Sequence, residues 1–137
     1  MAVELNHIIV ASRDKVGSSR FLAEVLGLDP PRAVSHFMAV EVANGVTLDY
    51  DDAEEFPPQH CAFLVSEEEF DAILERVKSA GVTHYADPNH RYPHVVNERN
   101  EGRGFYFGDP DGHNMEVFTK PPLPQLRPVR GVLDPAC

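Results

Sequence analysis

Hydrophobic and polar positions change their spacing several times along the chain, and each change marks an element. Residues 3–11, VELNHIIVA, concentrate β-branched side chains and predict a strand. Val16, Phe21, Leu22, Val25 and Leu26 then recur on one helical face, between Asp14 as N-cap and Gly27 as stop. Pro30 and Pro31 forbid continuation of that helix. Residues 37–51, FMAVEVANGVTLDYD, make two alternating runs around Asn44-Gly45. The dipeptide predicts a hairpin with a type I′ turn, in which both central residues need positive φ.

After Pro57 and Pro58 the succession begins again. QHCAFLV (59–65) reads as a strand, and Ser66 with Glu69 forms a capping box for a helix carrying Phe70, Ile73, Leu74 and Val77 and ended by Gly81. A short strand near 82–86 leads into a polar, proline-containing loop at 87–102. Strands at 103–108 and 113–119 flank the turn Asp109-Pro110-Asp111-Gly112. Spacing supports an internal repeat: His7 precedes Gly27 by twenty residues, and His60 precedes Gly81 by twenty-one. Asp49 follows Gly45 by four residues, as Glu116 follows Gly112. Each half reads β-α-β-β-β, which predicts an α+β fold of two modules, 1–56 and 57–120. Five of the twelve prolines fall in the last eighteen residues, so 121–137 reads as an extended tail.

Composition narrows the function classes. Acidic residues outnumber basic ones 22 to 12, for a formal charge of −10, and no basic run is present. Phosphate neutralisation needs such a run, so nucleic-acid binding is not expected, nor is attachment to an anionic membrane. No stretch approaches the ~18 apolar residues of a membrane span, and the N-terminus lacks a basic leader. Cys61 and Cys137 cannot form a disulfide framework. A soluble cytoplasmic protein is the expectation.

Four polar positions carry the candidate chemistry. A lone histidine in an apolar strand is usually structural, and a lone strand carboxylate usually faces solvent. His7 and His60 occupy equivalent first strands, however, and Asp49 and Glu116 equivalent last strands. Two imidazoles and a carboxylate form a ligand set that holds a divalent ion while leaving positions open for substrate. His7, His60 and Glu116 are the candidate ligands, with Asp49 an optional fourth.

The segments LNHIIVA (5–11), HCAFLV (60–65) and GFYFGDPDGHNMEVF (104–118) resemble the vicinal-oxygen-chelate superfamily over residues 3–119. That superfamily includes glyoxalase I, methylmalonyl-CoA epimerase, fosfomycin-resistance enzymes, extradiol dioxygenases and bleomycin-binding proteins. The resemblance implies two βαβββ modules in a cup-shaped mixed sheet around one divalent metal ion (Fe, Mn, Zn or Ni) held by His7, His60 and Glu116. It implies Lewis-acid polarisation of a small vicinal-oxygen substrate, and for short chains a homodimer with sites at or near the interface. The run Phe105-Tyr106 before Asp109-Pro110 is similar to the extradiol dioxygenase signature, which makes Tyr106 a candidate substrate hydrogen-bonder. NEGRGFYFGDPDGHNME (100–116) is similar to the fosfomycin-resistance thiol transferases. Those enzymes carry a threonine where Ile9 stands and a phosphonate-binding lysine near Val96, and no lysine lies between Lys78 and Lys120. A glyoxalase or epimerase reading makes Asp49 the base. The rival readings are an extradiol ring-cleaving dioxygenase and a non-catalytic binder of bleomycin-type antibiotics.

The loop 87–102 reads either as a solvated connection or as a lid contributing Arg103 or a histidine to the substrate. Tyr106 and Arg103 are the candidates for orienting substrate. His113, beside the turn, is expected to be exposed. Cys61 is expected to point away from His60 as a small core residue.

Overall fold

The computed structural model describes residues 2–122. The first module contains β1 (His7–Ser12), α1 (Lys15–Leu26), β2 (Arg32–Val34), β3 (Phe37–Glu41) and β4 (Thr47–Asp52). The second contains β5 (His60–Leu64), α2 (Glu67–Ser79), β6 (His84–Tyr85), β7 (Gly104–Gly108) and β8 (Asn114–Phe118). The sheets have matching orders, β1-β4-β3-β2 and β5-β8-β7-β6. In each, the first strand pairs in parallel with the last, and the other pairings are antiparallel. The fold is therefore α+β, built from two βαβββ modules. None of its helices within the described residues is long and apolar enough to cross a membrane.

Local chemistry explains the elements. The Asp14 side chain accepts from the Gly17 N–H at the start of α1, and Gly27 adopts the left-handed conformation (φ 71°) at its end. At α2, Ser66 Oγ accepts from Glu69 N and Glu69 Oε1 accepts from Ser66 N, both at 3.1 Å, so the capping box is complete. The inward face of α1 differs from the apolar spacing. Val16 is 40% exposed, while Ser18 and Ser19 are buried, because the helix lies close to its neighbours and small side chains fit there. β1 begins at His7, and Val3 and Leu5 stay exposed without a strand partner among the described residues. β2, not marked by any apolar alternation, is a three-residue edge strand with every residue exposed.

One core runs through both modules. Val10, Leu22, Val40 and Tyr50 of the first are buried in the same cluster as Phe70, Val77, Phe105, Phe107 and Met115 of the second. Each such side chain contributes ~1.5–3 kcal/mol on burial. Cys61 packs partly buried against this core, on the opposite sheet face from His60.

The hairpins of the two modules are built alike. Val42 N donates to Val46 O and Gly45 N to Val42 O; Asp109 N donates to His113 O and Gly112 N to Asp109 O. Gly45 (φ 81°) and Gly112 (φ 85°) have positive φ, and Asn44 and Asp111 do not. The expected type I′ turn at Asn44-Gly45 is thus replaced by a three-residue loop, a type I turn followed by a left-handed glycine. Pro110 suits the second position of that turn, since its φ is already set.

The same superposition places His113 where the first module has Val46, and the expectation of an exposed histidine is overturned: His113 is 0% exposed. Its Nδ1 accepts from Gln59 N (2.8 Å), and its Nε2 lies 2.7 Å from Ala11 O, a carbonyl that can only accept. The ring is therefore neutral, donating from Nε2, and it ties β1 to the chain entering β5. Asp111 completes the joint. Its carboxylate accepts from Arg13 N (2.9 Å) and Ser18 Oγ (2.7 Å), reaching from the second hairpin to the start of α1.

Two consequences are testable. His113→Ala leaves Gln59 N–H and Ala11 C=O without partners and opens a hole, and is expected to lower the unfolding free energy in urea by ~3 kcal/mol; a loss below ~1 kcal/mol would contradict this role. Burial pushes the Asp111 carboxyl up, but hydrogen bonds from Ser18, Arg13 and Ser12 outweigh it and hold the group below its ordinary range. A depressed carboxylate stabilises the fold fully above its unfolded value and loses that contribution as pH falls through the folded one. The stability gap between wild type and Asp111→Ala is therefore expected to shrink as pH drops below 3.8, the ordinary aspartate value, in denaturation curves recorded across that range.

Candidate functional site

Register places a histidine and a carboxylate on one face of each sheet. In the second module His60 pairs with Asn114 and Ala62 with Glu116, so His60 and Glu116 are diagonal neighbours on one side. His60 Nδ1 lies 3.2 Å from the Asn114 carbonyl, which can only accept, so this nitrogen carries a proton. Nε2 then faces Glu116 Oε1 at 3.0 Å. Two ligand atoms each ~2.1 Å from a common ion, at a near right angle, stand ~3 Å apart. The pair thus has the chemistry and spacing of a metal half-site, with the Nδ1–H bond fixing the tautomer that exposes Nε2.

The first module repeats the pattern. His7 pairs with Thr47 and Ile9 with Asp49, the same offset. His7 is exposed, and its Nδ1 lies 2.8 Å from Asn6 Oδ1, leaving Nε2 with a lone pair. Asp49 is 8% exposed, and its Oδ1 is buried without a hydrogen-bond partner. An orphaned carboxylate oxygen and an open imidazole on one face are the first module's candidate half-site.

Within one chain the two half-sites remain apart: the donor atoms of His7, His60 and Glu116 do not all fall within 4.8 Å of one another. Among the described residues the group that does is Asp109, Asp111 and His113. Its donors are largely committed already. Both His113 nitrogens are bonded, Asp111 serves Arg13 and Ser18, and Asp109 Oδ1 accepts from Asp111 N (2.9 Å) and His113 N (2.8 Å). Only Asp109 Oδ2 is left buried and unpartnered, on a carboxyl whose proton affinity burial raises. One open oxygen is a poor chelate, so this group is the inter-module joint.

A cavity of about 380 Å³ opens beside His60 and Glu116, with Tyr106, Asn97, Arg99 and Lys120 in its wall. Tyr106 on β7 pairs with Glu116 across the sheet. Its ring stacks on His60 (centroids 6.0 Å apart, 27° between planes), and its hydroxyl accepts from Arg99 Nη1 at 3.1 Å. Burial, aided by the Glu116 carboxylate and opposed by Arg99, pushes the phenol above its ordinary value. Tyr106 therefore stays protonated.

Arg103 borders this cavity, but its guanidinium is engaged elsewhere. It bonds Glu67 Oε1 (2.9 Å) and Asp71 Oδ1 (2.9 Å) on α2 and lies 4.3 Å from the centre of the Phe70 ring. These contacts pin β7 to α2. The cation at Tyr106 is Arg99, supplied by the loop. That loop is a folded wall: the Asp87 carboxylate accepts from Arg91 N and Tyr92 N, and Asn97 Nδ2 donates to Ala86 O (2.8 Å). Asn97 and Gly104 also exchange two backbone hydrogen bonds. Asn100 and Glu101 take left-handed φ values of 57° and 63°, and Asn tolerance of that conformation was the available hint. His84, His90 and His94 lie outside this cavity wall.

Comparison with known proteins agrees with the architecture. The model of the glyoxalase/bleomycin resistance protein/dioxygenase superfamily matches residues 4–117. The glutathione transferase FosA of Serratia marcescens is 35% identical over 126 residues, covering 87% of this chain and 82% of that protein. Among solved structures, the oxidase ChaP-H2 superposes with a TM-score of 0.86 at 52% identity, covering 88% of this chain and 96% of its own. The oxidase ChaP-H1 superposes with a TM-score of 0.86 at 49% identity, covering 88% and 98%. With a duplicated βαβββ fold and a family match across nearly all described residues, the chain belongs to the glyoxalase/bleomycin resistance protein/dioxygenase superfamily.

Proposed function

We propose that the protein is a divalent-metal-dependent enzyme that oxidises a small molecule presenting two vicinal oxygens, with dioxygen as the oxidant. The observation that carries this reading is the His60 Nε2 to Glu116 Oε1 distance of 3.0 Å, with Nδ1 bonded to a carbonyl. His60 and Glu116 would hold one side of a divalent ion, which would supply Lewis-acid polarisation of the substrate oxygens. Arg99 donates to the Tyr106 oxygen and the phenol donates to the Glu116 carboxylate, so a substrate oxygen near Glu116 would share or take over the phenol proton. Asp49 brings an unpaired carboxylate oxygen, suited to a fourth ligand or to a base. Oxidation is favoured over thiol transfer by the higher identity to the two oxidases, 52% and 49% against 35%. A purely sequestering role is disfavoured, since it gives no reason for two half-sites in the same register.

The active form in this reading is a homodimer whose cup combines the second module of one copy with the first module of another. Each site then takes His60 and Glu116 from one chain and His7 of the partner subunit. Support comes from apolar surface beside both half-sites: Leu5, Ile9 and Leu64 are 65%, 51% and 60% exposed. A cleft of about 540 Å³ lined by Leu5, Leu48, Phe63 and Leu64 lies between the modules.

Metal content of protein purified without chelator or affinity tag tests the reading. One equivalent per chain is expected in wild type, and affinity at least ~100-fold weaker in His60→Ala; wild type without stoichiometric metal, and without a thermal shift on adding divalent ions, would sink it. Mixing tests the shared site. His7→Ala and His60→Ala are each expected to lose tight metal binding, whereas co-refolded 1:1 mixtures regain about one quarter of the wild-type sites. No recovery would place both histidines in one chain's site.

A further inference from the structure

We infer that the cavity contains a subsite for a carboxylate, held by Arg99 and Lys120, so that the substrate is a vicinal-oxygen compound that also bears an acidic group. Charge distribution is the starting point. The chain carries 22 acidic against 12 basic residues. The cavity wall inverts that ratio, with Arg99, Arg103 and Lys120 against Glu116 alone. Arg103 is neutralised by Glu67 and Asp71. Glu116 faces His60. Arg99 gives one N–H to Tyr106, and neither Arg99 nor Lys120 forms an ion pair among the described residues. Among the described residues, two cations without an acidic partner therefore line one cavity in an acidic protein.

Their positions are built. A Cβ at Gly102 would lie 2.5 Å from Lys120 Cγ and 2.7 Å from Thr119 Oγ1, so only glycine lets the loop return against the lysine stem. Arg103 N donates to Thr119 Oγ1 and Thr119 N to Arg103 O, both at 2.9 Å, fixing the end of β8 that leads to Lys120. Arg99 is held by Asn97 Oδ1, which accepts its N–H at 3.2 Å, and by Gly102 N donating to its carbonyl at 2.9 Å. The adjoining Asn100 and Glu101 are in the left-handed region, a strained conformation that persists where surrounding structure imposes it. A guanidinium and an ammonium offered together match a carboxylate, and hydrogen bonds between ionised partners are roughly twice as strong as neutral ones. The −10 charge weighs against anionic substrates in general; locally, the two cations reverse that field.

The vicinal-oxygen half of this inference rests on the proposed metal site, whereas the carboxylate half rests on Arg99 and Lys120 alone. Calorimetry on the full chain separates them, with catechol and 3,4-dihydroxybenzoate as probes sharing one diol and differing by a carboxylate. Metal-loaded wild type is expected to bind the carboxylate-bearing probe roughly tenfold tighter than catechol at low salt. Arg99→Gln/Lys120→Gln is expected to bring that ratio to about one, and Lys120→Gln alone, which leaves the Tyr106 contact intact, to lower it roughly threefold. Lys78→Gln makes the same charge change away from the cavity and is expected to leave the ratio unaltered. A wild-type ratio near one, a ratio unmoved by Lys120→Gln, or an equal fall in Lys78→Gln would overturn the subsite. Binding of both probes that is indifferent to chelator, with the ratio kept, would instead overturn the metal site and leave the carboxylate subsite standing.

Discussion

A neutral imidazole buried between two strands carries the geometry of this molecule. Gln59 N–H and Ala11 C=O are backbone groups of different modules, and His113 satisfies both from a third position. Only a ring with one donor and one acceptor nitrogen does this, at a reach neither serine nor asparagine has. The hairpin that presents it has the same turn as its counterpart in the first module, where Val46 occupies the place of His113. The repeated hairpin supplies the scaffold, and a histidine at this place of the second module, where the first has valine, makes it a joint. Through that joint the edges of β1 and β5 are set relative to each other, and with them the directions in which His7 and His60 face.

The electrostatics are organised on the same principle of local difference against a uniform background. Arg103 and Arg99 lie four residues apart, yet Arg103 is drawn to the acidic first turn of α2 and Arg99 to a phenol. The acidic residues that open α2 complement its macrodipole and also anchor β7 from behind. By holding Arg103, they leave Arg99 as the guanidinium at Tyr106. Net charge is a poor guide to such a site because the cavity wall samples only a few of the charged side chains.

What could be read from residues alone divides along sequence separation. Capping boxes, helix stops and alternating strands act over a few residues, so Ser66 with Glu69, Asp14, and the hairpins around residues 44 and 111 were legible. The equivalence of His7 with His60 and of Asp49 with Glu116 was also legible as spacing, and the strand registers carry the same offset. The burial of His113 was not, because its partners lie 54 and 102 residues away. The exchange of Arg103 for Arg99 was hidden for the same reason: it is decided by Glu67 and Asp71, on an element that sequence proximity does not connect to the loop. The turn type was missed for a different cause, since Asn-Gly serves a two-residue I′ loop and a three-residue bulged loop equally well.

The parallel pairing of first and last strands has a consequence for how the site comes into being. His60 and Glu116 are 56 residues apart, and α2, β6 and β7 lie in the chain between the strands that carry them. Pairings of such long separation come late, because the entropy of closing the intervening loop must be met before they add stability. The strand register is thus a condition of the proposed site: an ion held by His60 and Glu116 would report that the first and last strands of the second module have found each other.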